Sequence, residues 1–162
     1  MTNRIMEYAL KEENQNVITF GKLTNDEAEV KTVVDIWYST SIVCHDFVGS
    51  EFWKACIDDM KNIYIPSSQT IVSRYNGEIV GFISLVDNTL ASIFVLPDYQ
   101  GKGIGHKLLS YVFEEKETLV LNVYEKNISA REFYLRNGFI EQKRSVDEHT
   151  GEIEITMVWS LV

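Results

Sequence analysis

The chain has 162 residues, 45% apolar and 12% aromatic, with a formal charge of −9, which suits one domain around one buried core. The negative charge argues against a nucleic-acid partner, since phosphate backbones need clustered Lys and Arg. No apolar run approaches the roughly 18–20 residues of a membrane span, and the opening MTNRIMEYALKEENQN has no signal-peptide stretch. A cytoplasmic protein without membrane partners is expected. Cys44 and Cys56, lacking Cys-x-x-Cys or His-rich company, read as buried thiols and not as metal ligands or a disulfide.

Residues 1–15 are polar and aperiodic and read as a loose extension to a domain over 16–162. Val17–Leu23 reads as a strand. Thr24 and Glu27 have capping-box spacing, and Val30, Val33, Val34 and Trp37 recur at helical intervals, predicting a helix over Asn25–Ser39. A polar and aromatic loop, 39–49, carries His45-Asp-Phe47; it serves either as a packed connection or as an acceptor-binding lip. A second helix starts near Ser50, with Trp53, Cys56, Ile57, Met60 and Tyr64 on one face, and stops before Pro66.

Gln69–Tyr75, Glu78–Val86 and Thr89–Leu96 read as an antiparallel meander, turned at Asn76-Gly77 and Asp87-Asn88. Ile104, Leu108, Leu109, Val112 and Phe113 form the stripe of a third helix, and Thr118–Tyr124 is a further strand. A right-handed crossover places 89–96 and 118–124 side by side and parallel. A helix over Ser129–Asn137, ended by Gly138, and a closing hairpin of 139–146 with 153–161 complete the chain.

The most informative stretch is SIFVLPDYQGKGIGHKLLSYVF, from Ser92 to Phe113. Glycines at 101, 103 and 105 leave backbone amides uncovered where a helix begins, and such amides with the helix dipole bind anions. A glycine-rich turn also serves simply to reverse a chain. Two familiar phosphate binders fail on spacing. Gly105 is followed by His106 and Lys107 instead of the Lys-Ser/Thr of a P-loop, and a dinucleotide fingerprint from Gly101 needs glycine where His106 stands.

What remains is Gln100-x-x-Gly103-x-Gly105 directly behind a strand. This resembles the acetyl-CoA pyrophosphate loop of the GNAT superfamily of N-acetyltransferases. A second segment, TLVLNVYEKNISAREFYLRNGF, carries Asn127, Ala130, Tyr134, Gly138 and Phe139 at the spacing those enzymes use after their fifth strand. The resemblance spans residues 17–161. It implies a single α/β (α+β) domain with a mixed, mostly antiparallel sheet, a splayed central parallel pair, and helices on both faces. Small bacterial acetyltransferases, some acting on protein lysine, similarly carry the His-x-Phe and Val-Tyr-x-Lys-Asn motifs found here at 45–47 and 123–127.

The resemblance further implies acetyl-CoA as co-substrate, held by Ile93, Phe94 and Val95 on the strand, by Gln100, Gly101, Lys102, Gly103, Ile104, Gly105 and His106 in the loop, and by Asn127 and Ala130. The Val95 N–H would face the developing oxyanion. Tyr134 is the expected general acid, a phenol protonated at neutral pH beside a departing thiolate; without the motif it reads as a core aromatic, and Asn127 as a helix cap.

Many relatives place a glutamate base five residues before the motif asparagine, where this chain has Asn122. His45 is the expected substitute on chemistry, with Glu51 or an ordered water behind it and a packing histidine as the plain alternative. A buried lysine acceptor could also shed its own proton. The acceptor is a protein amine or a small amine such as an aminoglycoside, polyamine or amino acid. A homodimer is left open, and an acyl-CoA-binding module without turnover is the competing class.

Overall fold

Runs of Val, Ile, Thr and Phe, broken by residues that tolerate positive φ, build the frame. The computed structural model describes residues 17–162, and the extension expected over 1–15 lies outside them. In chain order the strands are β1 Ile18–Lys22, β2 Gln69–Tyr75, β3 Glu78–Val86, β4 Thr89–Val95, β5 Thr118–Tyr124, β6 Ile140–Val146 and β7 Ile153–Ser160. They form one sheet in the order β1-β2-β3-β4-β5-β7-β6. Every neighbouring pair is antiparallel except β4 with β5. Asn76 and Gly77 have φ of 52° and 86°, the left-handed pair a two-residue hairpin requires.

The helices are α1 Glu27–Cys44, a broken run α2 over 50–67, α3 Ile104–Phe113 and α4 Ile128–Arg136. α1 and α2 bury Val33, Val34, Trp37, Trp53 and Met60 against Val72 and Phe82. A second core sets Ile104, Leu108, Leu109 and Tyr134 of α3 and α4 against Ile83, Leu119 and Leu121. Helices thus cover both faces of the sheet. Among the described residues no helix is long and apolar enough to cross a membrane.

Three local expectations are corrected. The cap of α1 is Asp26, whose carboxylate accepts from the Ala28 N–H at 3.3 Å; Thr24 instead donates to Glu29 at 2.9 Å. α1 continues past Ser39 to Cys44, because Ser41 is fully buried and tertiary packing outweighs the weak helix preference of the Ser-Thr-Ser run. The stretch expected as a loop over 39–49 is therefore mostly helix. Nor does α2 stop before Pro66: the Ile65 N–H reaches back five residues to Met60 O, a widened π-turn that carries the chain through Ile65–Ser67. Widening swings Tyr64 off the apolar face, leaving it 57% exposed.

The feature that positions the site is a failure of pairing. β4 and β5 meet only at Thr89 and Val120, where the Val120 N–H donates to Asn88 O at 2.9 Å. Beyond that point β4 stays on β3 as far as Val95, and β5 stays on β7 as far as Tyr124. The sheet consequently opens between them. Gly81 of β3 lies opposite Val95, and a Cβ there would sit 2.8 Å from Ser73 Oγ and 3.0 Å from Phe94 O. Gly81→Ala should therefore destabilise the fold by about 1–3 kcal/mol, read as a lower urea midpoint. Gly21→Ala, whose Cβ meets nothing within 4 Å among the described residues, should change it by less than about 0.5 kcal/mol.

Candidate active site

In an antiparallel ladder, peptide groups point alternately toward and away from the partner strand. The bond from Leu96 N–H to Val80 O at 2.9 Å sets that alternation for β4. Phe94 directs its N–H and C=O at β3, while those of Ile93 and Val95 turn into the opening. Of the strand residues expected to offer backbone groups, Phe94 thus contributes its ring and not its amide. Gln100 already covers one polar group, its Nε2 donating to Val95 O at 2.8 Å.

The opening widens into a cavity of about 680 Å³. Ile93, Phe94 and Val95 form one wall, and Gln100, Gly101, Gly103, Ile104, Gly105 and His106 another. Asn127, Ala130 and Tyr134 close the side opposite β4. Gly103 adopts φ 80° as the residue capping α3 and Gly101 φ 77°, so the turn needs glycine at both and leaves its amides bare. Lys102 does not join them; its Nζ stands 5.4 Å from the Tyr99 ring centroid and 5.9 Å from that of Tyr75. His106 Nδ1 lies 2.6 Å from Asn137 Oδ1, and Asn137 Nδ2 donates to Phe133 O at 2.8 Å.

Tyr134 and Cys44 reach the cavity from helices on opposite faces of the sheet. Burial pushes the Tyr134 phenol well above its usual value, with the Cys44 thiol adding to the shift. Burial likewise pushes the Cys44 thiol up to about 11. Both groups are neutral at pH 7, and the Tyr134 hydroxyl has no hydrogen-bond partner among the described residues.

His45 lies behind Asn127. Asn127 Oδ1 accepts from the Ala130 N–H at 3.2 Å, which turns its Nδ2 toward His45 Nε2 at 3.0 Å. The imidazole nitrogen must then accept, so its proton resides on Nδ1, a buried atom with no partner among the described residues. Rings of Tyr124, Trp53 and Phe47 enclose it at centroid distances of 5.1, 5.4 and 5.8 Å. Burial pulls its pKa down to about 4.

A family model described as "Acetyltransferase (GNAT) domain" matches residues 66–141. The peptidyl-lysine N-acetyltransferase YiaC of Escherichia coli (strain K12) is 32% identical over 113 residues, 69% of this chain and 77% of that protein. This chain belongs to the GNAT acetyltransferases. A second GNAT relative, the peptidyl-lysine N-acetyltransferase YjaB of the same organism, is 28% identical over 137 residues, 84% of this chain and 91% of its own. The solution structure of apo YjaB superposes with a TM-score of 0.76 at 26% identity, covering 88% of this chain and 97% of that one. The spermine/spermidine N(1)-acetyltransferase of Bacillus subtilis (strain 168) is 30% identical over 107 residues, 55% of this chain and 69% of that protein.

The GNAT motifs located most of this cavity, but not all of it. Thr40 and Cys44 line it from α1, and ending that helix at Ser39 hid their shared face. Ser129, Phe133, Arg136 and Asn137 also line it; their spacing on one side of α4 was the available signal.

A histidine held neutral by the fold makes acid destabilising. Between pH 6.5 and about 4 the unfolded chain binds a proton that the native His45 refuses, so stability falls as pH falls through that window. His45→Gln should flatten the slope by up to about 3 kcal/mol over the window, measured by urea unfolding at stepped pH.

Proposed function

We propose that this protein transfers acetyl from acetyl-CoA to a primary amine by direct attack in a ternary complex, and that the amine is a protein lysine. The observation that carries the reading is the opened β4–β5 pair, with peptide groups turned into a cavity that ends on the bare amides at the start of α3. The amides suit a diphosphate, and the Ile93 and Val95 peptide groups suit the amide-bearing arm that follows it in CoA. Arg136, on the cavity wall beside the loop, suits a further phosphate.

Acetyl-CoA brings the activated acyl group; the chain supplies orientation and protons. As the amine nitrogen bonds to the thioester carbon, negative charge gathers on the carbonyl oxygen, and the Val95 N–H, turned into the opening, is the donor assigned to it. When the carbon–sulfur bond breaks, the sulfur needs a proton, and Tyr134 lines the same cavity with a protonated, unengaged hydroxyl; the proton that the newly acylated nitrogen sheds restores the phenol. The dry surroundings that disfavour phenolate also disfavour free thiolate, so proton transfer and bond cleavage run together.

His45 is assigned to holding Asn127, not to taking the amine's proton. Its Nε2 lone pair already accepts from Asn127, and a base of pKa about 4 is too weak to draw a proton from an ammonium. Lysine as acceptor rests on the two peptidyl-lysine relatives; the chain's charge of −9 also favours a cationic partner. The polyamine relative supports the second reading, a small cationic amine.

CoA release measured with lysine peptides, spermidine, amino acids and an aminoglycoside should be greatest for the peptides; spermidine exceeding them selects the second reading. Tyr134→Phe should lower kcat about 10²–10⁴-fold while the acetyl-CoA dissociation constant stays within a few-fold, and undiminished turnover would remove the phenol from the mechanism. Gly103→Val strains a position at φ 80° and places a side chain over the amides. It should weaken acetyl-CoA binding at least about 30-fold, the loss of two or more good hydrogen bonds, as titration calorimetry would report.

A further inference from the structure

We propose that Glu154, on the strand beside β5, accepts the proton that the acceptor ammonium must lose before it attacks. This rests on the acetyltransferase reading above and fills the role that Asn122 cannot. Asn122 is not merely the wrong residue type: its Oδ1 is engaged by Thr156 Oγ1 at 2.7 Å. Strand register points one step along. Asn122 faces Thr156 and Tyr124 faces Glu154 across the β5–β7 ladder. Positions two apart share a face, so all four stand on one face of the sheet.

That is the face toward the end of α1, since the Tyr124 ring packs on His45 at 5.1 Å and on Phe47 at 5.5 Å. Through His45 the contact continues to Asn127, which lines the cavity. Glu154 thus stands on the sheet face whose contacts run through Tyr124, His45 and Asn127 to the cavity, and in the proposed reaction the acceptor amine comes in from this side.

What separates Glu154 from the acids around it is that its carboxylate is unengaged. Asp147 accepts from the Tyr124 hydroxyl at 2.7 Å, from Thr150 Oγ1 at 3.1 Å and from the His149 N–H at 3.0 Å. Glu125 pairs with Arg144, Glu152 with Lys126, and Glu141 with Arg131. Glu154 is partly buried, yet no hydrogen bond or ion pair to its carboxylate occurs among the described residues. Burial and the neighbouring Asp147 charge raise its pKa, which strengthens it as a base. The groups facing it are Tyr124 from β5, Asp147 from the turn, and Ser145 opposite it on β6. Lys143, opposite Thr156, shares the face one diagonal away and forms no ion pair among the described residues. An ammonium is the natural counterion for such a carboxylate. It would give its proton to Glu154 directly or through one water, leaving the neutral amine to bond to the thioester carbon.

The test uses the full chain with acetyl-CoA and a lysine peptide, with spermidine as the second acceptor. Glu154→Gln should lower kcat/KM about 10²-fold at pH 7, with the acetyl-CoA dissociation constant unchanged. The deficit should shrink to a few-fold near pH 9.5, where the acceptor deprotonates itself, and Glu154→Asp should recover part of it. A deficit of equal size at every pH would mark a structural role and overturn the proposal, as would a variant matching wild type throughout. Wild type that releases no CoA with either acceptor overturns the acetyltransferase reading and this proposal with it, whereas active wild type beside an unaffected variant overturns the proposal alone.

Discussion

The structure depends on one place where two parallel strands stop bonding. A peptide group turned away from its neighbour in a dry interior loses on the order of 1–3 kcal/mol unless something else meets it. β4 and β5 nevertheless separate after Thr89 and Val120. They stay apart because each is bound on its outer edge, β4 by β3 and β5 by β7. Gly81 lets β3 hold β4 at the far end of that contact, where any side chain would press on Ser73 and on the Phe94 carbonyl. Gln100 answers one of the exposed carbonyls. The remaining groups make the opening a recess that favours a polar, strand-like ligand.

Two electrical environments meet in that recess. Tyr134 and Cys44, which line it, and His45 behind Asn127 are all held neutral by burial. Toward the glycine loop the helix start is positive in character, and Arg136 adds a full charge. Outside, Asp147 and Glu154 of the β6–β7 hairpin lie close to Tyr124.

The Asn127 side chain links this chemistry to the fold. It caps α4 through its oxygen and holds His45 through its nitrogen, so one residue fixes both a helix start and the end of α1. The aromatic group around His45, with Trp53 Nε1 donating to His45 O at 3.4 Å, locks that corner. The imidazole is better understood as part of this scaffold than as a titrating group.

Signals that live within a few residues of each other were legible from the chain alone. The hairpin at Asn76-Gly77, the glycine turn before α3, the cap at Asn127 and the left-handed Gly138 are dictated by backbone sterics and local hydrogen bonding, and all recur in the structure. The strand set followed from β-branched runs, and the parallel pair from the handedness of the crossover. Tertiary contact decided the rest. Burial of Ser41 carried α1 on to Cys44 against local preference, and the π-turn at 60–64 took the chain through a proline. The phase of hydrogen bonding on β4 turned the peptide groups of Ile93 and Val95, and not those of Phe94, into the opening, and the contact with Asn127 made His45 Nε2 a buried acceptor. Phase, burial and partnership are relations between segments distant in the chain, so no stretch of sequence read by itself contains them.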